Sequence, residues 1–101
     1  MSLSLQFSNK QLQRKFKHAT DFGIVGNYSQ ENVARYHQAL LAHINDQNTQ
    51  FIQGTYHKNP VLHYFNPTTK INVIFDVNGN FVSGWQLSPD QFKNLIRHGA
   101  L

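Results

Sequence analysis

At 101 residues the chain is long enough for one domain around a single core. Nine Lys and Arg against five Asp and Glu give a formal net charge of +4, and 40% of residues are hydrophobic. That is a folded chain whose field favours polyanions: nucleic acid, an anionic membrane or an acidic protein. The absence of cysteine excludes disulfide frameworks and thiolate metal sites, no run reaches membrane-spanning length, and the first residues show no signal-peptide core.

Residues 8–19 are expected to be helical, with Ser8 as N-cap and Leu12, Phe16 and Ala19 forming an apolar stripe. "DFGIVGNYS" breaks the period with Gly23 and Gly26 and predicts a loop. Ser29 caps a second helix that carries Val33, Tyr36, Leu40 and Ile44 at helical spacing and ends in "NDQNT". From Thr49 the period changes to that of strands. "TQFIQGTYHK", "VLHYFN", "KINVIFD" and "NFVSGWQL" are rich in β-branched and aromatic residues. The connections "KNP", "NPTTK" and "DVNGN" have hairpin chemistry, with Asn78-Gly79 the strongest because both residues tolerate positive φ. "SPDQFKNLIRHG" predicts a last helix, with Ser88 as N-cap, Pro89 in the first turn, Gln91 completing a capping box and Gly99 stopping it. Helices first and then an antiparallel meander of about four strands argue for an α+β domain with a short C-terminal helix.

Six histidines raise the question of a metal, but none forms the i, i+4 pair of a helical zinc site, and there is no HExxH. His57 and His63 are placed to meet across a hairpin, without a nearby carboxylate. The five acids are scattered singly, and neither a GxSxG elbow nor a phosphate-cradling glycine loop occurs. These absences argue against glycosidase, serine-hydrolase and P-loop chemistry.

Two stretches remain. "QRKFKH" sets Arg14, Lys15 and Lys17 around His18. It suits a solvated basic helix face, or a phosphate site with a built-in acid–base group. In a helix, Arg14 and Lys15 lie one turn before His18; in an extended end, Lys15 and Lys17 share a side. RNA cleavage needs such parts: RNA brings its own 2′-hydroxyl nucleophile, histidine moves protons near neutrality, and cations stabilise the crowded phosphorane without a metal. In "NFVSGWQL", strand alternation predicts Phe81, Ser83 and Trp85 on one face, with Gly84 permitting a close approach. A serine hydroxyl can donate to a phosphate and an indole can stack on a base. Equally, Trp85 suits the core and Ser83 a tolerated small residue. Lys58 and Lys70, in the connections, are further candidate substrate contacts.

"LQRKFKHATDFGIVGNY" followed by "GTYHKNPVLHYFNPTTKINVIFDVNGNFVSGWQLSP" resembles the C-terminal cytotoxic domain of colicin D and related bacterial toxins, including contact-dependent growth inhibition proteins. The resemblance runs from about Lys10 to Gln91, and its linked K-x-K-H and S-G-W motifs are far more specific together than apart. It implies a barnase-, EndoU- and RelE-like ribonuclease fold and metal-independent cleavage of a tRNA anticodon loop, leaving a 2′,3′-cyclic phosphate and a 5′-hydroxyl. It implies no cofactor. The implied partners are tRNA and a cognate acidic immunity protein, with no membrane partner and a monomeric toxin domain. The chain would be the C-terminal tip of a longer toxin, secreted or cell-surface delivered and acting in the target-cell cytoplasm. The family's catalytic histidine falls on His18, its lysines on Lys15 and Lys17, and its serine and tryptophan on Ser83 and Trp85. Arg14 is added from helical spacing alone. A non-catalytic RNA-binding or protein-interaction module on the same fold remains the alternative.

Overall fold

The structure, a computed structural model, describes residues 4–101. Its elements are α1 (Asn9–Lys15), a 3₁₀ helix (Phe16–Phe22), α2 (Gln30–Asn45), β1 (Gln50–Tyr56), β2 (Asn59–Phe65), β3 (Ile71–Asp76), β4 (Phe81–Gln86) and α3 (Pro89–His98). The strands form one antiparallel sheet in the order β1-β2-β3-β4. The expected α+β order is therefore present.

The helix starts follow their caps. The hydroxyls of Ser8, Ser29 and Ser88 accept from the backbone N–H of Gln11, Asn32 and Gln91, and Gln91 closes the capping box on Ser88. The first helix departs from expectation. It keeps α geometry only to Lys15, then tightens into the 3₁₀ helix, which runs through Asp21-Phe22 and ends at Gly23 in the left-handed region.

The sheet has two covered faces. On one, Leu12, Ala19, Tyr36 and Leu40 from the helical half meet Leu62, Ile71, Val73, Phe75 and Phe81. On the other, Leu95 and Phe92 of α3 meet Phe65, Leu87, Ile52 and Trp85. The chain closes tightly over β1 as well: Thr55 N–H donates to Gly99 O at 2.8 Å, and a Cβ on Gly54 would lie 1.9 Å from that same oxygen. Only glycine fits at that crossing.

Two local features differ from the strand pattern. In β4, Val82 is an extra residue: Ile74 pairs with Ser83, but Phe75 pairs with Phe81. This bulge reverses the alternation. Phe81 faces the α1–α2 core, while Ser83 and Trp85 face the α3 side, so the three do not share a face. The second difference concerns turns. Asn78 does not take positive φ; only Gly79 does, and the Asp76 carboxylate accepts from the N–H groups of Asn78 and Asn80, both at 2.9 Å. The turn with two left-handed residues is the two-residue β1–β2 connection, His57 (φ 50°) and Lys58 (φ 71°), as a type I′ hairpin requires.

Non-glycine residues in that region carry about 1–2 kcal/mol of strain each. Replacing His57-Lys58 by Asn-Gly should therefore raise stability by about 1–2 kcal/mol after the entropic cost of the glycine, read as a higher urea midpoint with an unchanged m-value.

Three histidines are held below the ordinary value of about 6.5, each chiefly by burial: His18, His43 and His63. The folded protein thus binds protons less readily than the unfolded chain. Stability present above pH 6.5 should be lost as pH falls through the depressed folded values, which pH-dependent thermal melts will show.

Candidate active site

The site is built where the α1–3₁₀ segment crosses the free edge of β4. Two side chains pin it there. Gln11 Nε2 donates to Val82 O at 2.6 Å, and Asp21 Oδ2 accepts from Gln86 N–H at 3.0 Å. His18 lies between these anchors in one segment, and Ser83 and Trp85 lie between them in the other. Gly84 permits the close approach expected of it, but the approaching group is Phe22: a Cβ at Gly84 would meet Phe22 Cζ at 3.3 Å and Val73 Cγ2 at 3.1 Å.

The result is direct packing of His18 on Trp85, with ring centroids 5.9 Å apart and planes tilted by 34°. Both rings are half-buried. The indole does two jobs: it packs against the α3 core cluster and presents its remaining surface to His18. Its Nε1–H donates to Gln91 Oε1 at 3.2 Å, and that oxygen also accepts from Ser88 N–H. The capping box of α3 therefore fixes the orientation of the site's indole. Ser83, one alternation before Trp85 on the same face, is only 1% exposed and supports the site from beneath.

The tightened helix decides which residue of α1 is in register with His18. With three residues per 3₁₀ turn, Lys15 eclipses His18, and Arg14 is turned away from that register. Burial is the main cause of the lowered His18 pKa; the charges of Lys17 and then Lys15 push it further down, and Asp21 opposes them. His18 is consequently neutral at pH 7, the state in which an imidazole accepts a proton. Among the described residues the only ion pair is Arg35–Glu31. Half-buried Lys15 and exposed Lys17 thus have no carboxylate partner there, and neither has exposed Arg14 near the end of α1.

The other two lysines separate. Lys58 lies in the strained β1–β2 turn, two residues past Tyr56, whose ring is 5.7 Å from Trp85. Lys70 is committed elsewhere: its Nζ donates to Pro67 O at 2.7 Å and sits 4.3 Å from the Phe92 ring centroid, tying the β2–β3 turn to α3. His57 and His63 do not face each other. His63 is fully buried, with Nε2 donating to Thr55 O at 3.0 Å and Nδ1 accepting from Asn72 Nδ2 at 2.9 Å, whereas His57 is exposed in the turn.

Sequence reasoning missed three contributors. Gln91 was visible as a capping residue, but its bond to Trp85 depends on tertiary docking. Asp21 and Gln11 carried no motif, because anchoring a free strand edge needs only a short polar side chain at the right place.

The family model for colicin D matches residues 11–95. Colicin-D of Escherichia coli is 41% identical over 93 residues, which are 90% of this chain and 13% of that protein's length. Among solved structures, a ribonuclease from Escherichia coli complexed with its inhibitor protein superposes with a TM-score of 0.81 at 38% identity, covering 90% of this chain and 100% of that one. With the sequence match spanning the helical half, the sheet and α3, and the fold shared at that level, the chain belongs to the colicin D family.

Proposed function

We propose that this domain is an antibacterial toxin ribonuclease that cuts the anticodon loop of tRNA without a metal. One observation carries the reading: His18 packed on the indole of Trp85, beside two lysines that form no ion pair among the described residues. A solvated helix face has no need of that packing. The ribonuclease that shares the fold supports the reaction class.

In the mechanism, His18 takes the proton of the 2′-hydroxyl. The oxygen attacks the adjacent phosphorus, the bond to the 5′-oxygen breaks, and that oxygen takes a proton from water, whose hydroxide then takes back the proton held by His18. The products are a 2′,3′-cyclic phosphate and a 5′-hydroxyl. Lys15 and Lys17 stabilise the charge that builds on the phosphorane, with Arg14 and Lys58 holding flanking phosphates. Trp85 stacks on an unpaired base, and buried Ser83 supports the strand face beneath that indole. Lys70, bound to Pro67 and Phe92, holds the β2–β3 turn against α3 and takes no part in the reaction. The domain acts as a monomer, as part of a longer toxin delivered into target bacteria.

Bulk tRNA incubated with the protein in EDTA should give discrete half-length fragments; no cleavage in EDTA, restored by a divalent ion, would sink the proposal. His18→Ala should lower the rate by about 10²–10⁴-fold with the fold intact. For the wild type, the rate should rise with pH to a plateau whose midpoint lies below 6.5, since His18 acts as the neutral base.

The same unpaired cations define the inhibitor. An immunity protein for this domain would be acidic and would set carboxylates where tRNA phosphates lie, with complementary fields bringing association toward about 10⁸–10⁹ M⁻¹s⁻¹ at low salt. The solved ribonuclease relative is itself held by an inhibitor protein. Saturating a His18→Ala variant with immunity protein should abolish tRNA binding; unchanged tRNA affinity would place the inhibitor on a remote surface.

A further inference from the structure

His18 is the first ring of a row. Its neighbour Trp85 is 5.7 Å from Tyr56 (planes at 50°), and Tyr56 is 4.1 Å from His57. The four rings come from the 3₁₀ helix, β4, the end of β1 and the β1–β2 turn, and each keeps some exposed surface. Strands at opposite edges of the sheet thus curl until their aromatic side chains meet. We propose that Tyr56 and His57 form a base-stacking subsite for an unpaired nucleotide flanking the scissile phosphate, with Lys58 on that nucleotide's phosphate.

Three observations support it. Aromatic rings in a row with cations alongside are the usual platform for single-stranded RNA, because every base has a π face and every step a phosphate. Lys58 follows the row directly and has no carboxylate partner among the described residues. The turn that carries His57 and Lys58 holds both in the left-handed region, where Asn-Gly would serve without strain. Strain of this kind is retained where the side chains themselves are needed. Burial alone does not explain Tyr56, which is neither enclosed nor part of either core cluster.

This rests on the nuclease reading for its position beside the scissile bond, so the test separates the two. In a His18→Ala background, fluorescence anisotropy measures binding of single-stranded hexauridylate and of an abasic ribose-phosphate hexamer of equal charge. Tyr56→Leu, which keeps apolar volume but removes the ring, should weaken hexauridylate binding about 5–150-fold and leave the abasic probe unchanged. Tyr56→Phe should bind both probes as the parent does. Equal hexauridylate affinity in Tyr56→Leu overturns the subsite, and so does a parallel loss for the abasic probe, which marks a structural effect. If the His18-intact protein fails to cut tRNA in EDTA while hexauridylate binding stays Tyr56-dependent, the nuclease reading falls and the stacking surface stands. Should tRNA be cut while Tyr56→Leu binds normally, the subsite alone is wrong.

Discussion

The docking of the α1–3₁₀ segment on the free edge of β4 is the contact on which the candidate site depends. An edge strand exposes unpaired amides and carbonyls that must find partners. Here Gln11 and Asp21 supply them from one continuous segment, on either side of the residues that matter. Gly84 removes the side chain that would hold the segment away, and Phe22 fills the space. His18 is thereby set against Trp85 by three independent constraints, with no hydrogen bond to its own ring among the described residues. Its ring keeps both nitrogens available for chemistry because the positioning is done by its neighbours.

The β4 bulge is the second requirement. Were Val82 paired in a regular ladder instead of bulged, alternation would put Phe81 on the same side as Ser83 and Trp85, and one of the two cores would lose an aromatic ring. With it, a six-residue strand feeds Phe81 into the α1–α2 core and Trp85 into the opposite face. Trp85 is then reached from two directions: α3 holds its Nε1 through Gln91, and the 3₁₀ helix presents His18 to its ring.

What was legible in the sequence was mostly local. Serine caps, the capping box at Ser88–Gln91 and the Gly99 stop depend on a few neighbouring residues, and all appear where expected. The strands were recognisable from their composition. The residues that a motif could carry, His18 and Trp85, do come together. The failures have a common cause in tertiary context. Asn78-Gly79 carries the strongest two-residue turn signal, yet the Asp76 carboxylate captures the turn and leaves only Gly79 left-handed. His57-Lys58 carries no such signal and takes the type I′ form because the β1–β2 register leaves two residues to close it. The switch from α to 3₁₀ geometry at Phe16 moves Lys15 into the place that helical spacing would share with Arg14. Nothing in the local sequence announces the Val82 bulge, since it is enforced by what β4 must face on each side.

The pairing of Gln6 with the start of β4 has a mechanical consequence. Gln6 N–H donates to Gly79 O, and Phe81 N–H donates to Gln6 O, so among the described residues the chain before α1 is joined to the sheet by these two hydrogen bonds and by Phe7 packed on Phe75 and Phe81. A pull applied near Leu5 loads those bonds first, then the Gln11 anchor, then Asp21, one after another as in a zipper. The sheet's own ladders and the α3 cluster are not on that line of force. Under tension from this end, the domain would shed its 3₁₀ helix, and with it His18, while most of the sheet stayed paired. Relaxation would need Leu12, Ala19 and Phe22 to repack on the sheet, a template already in place.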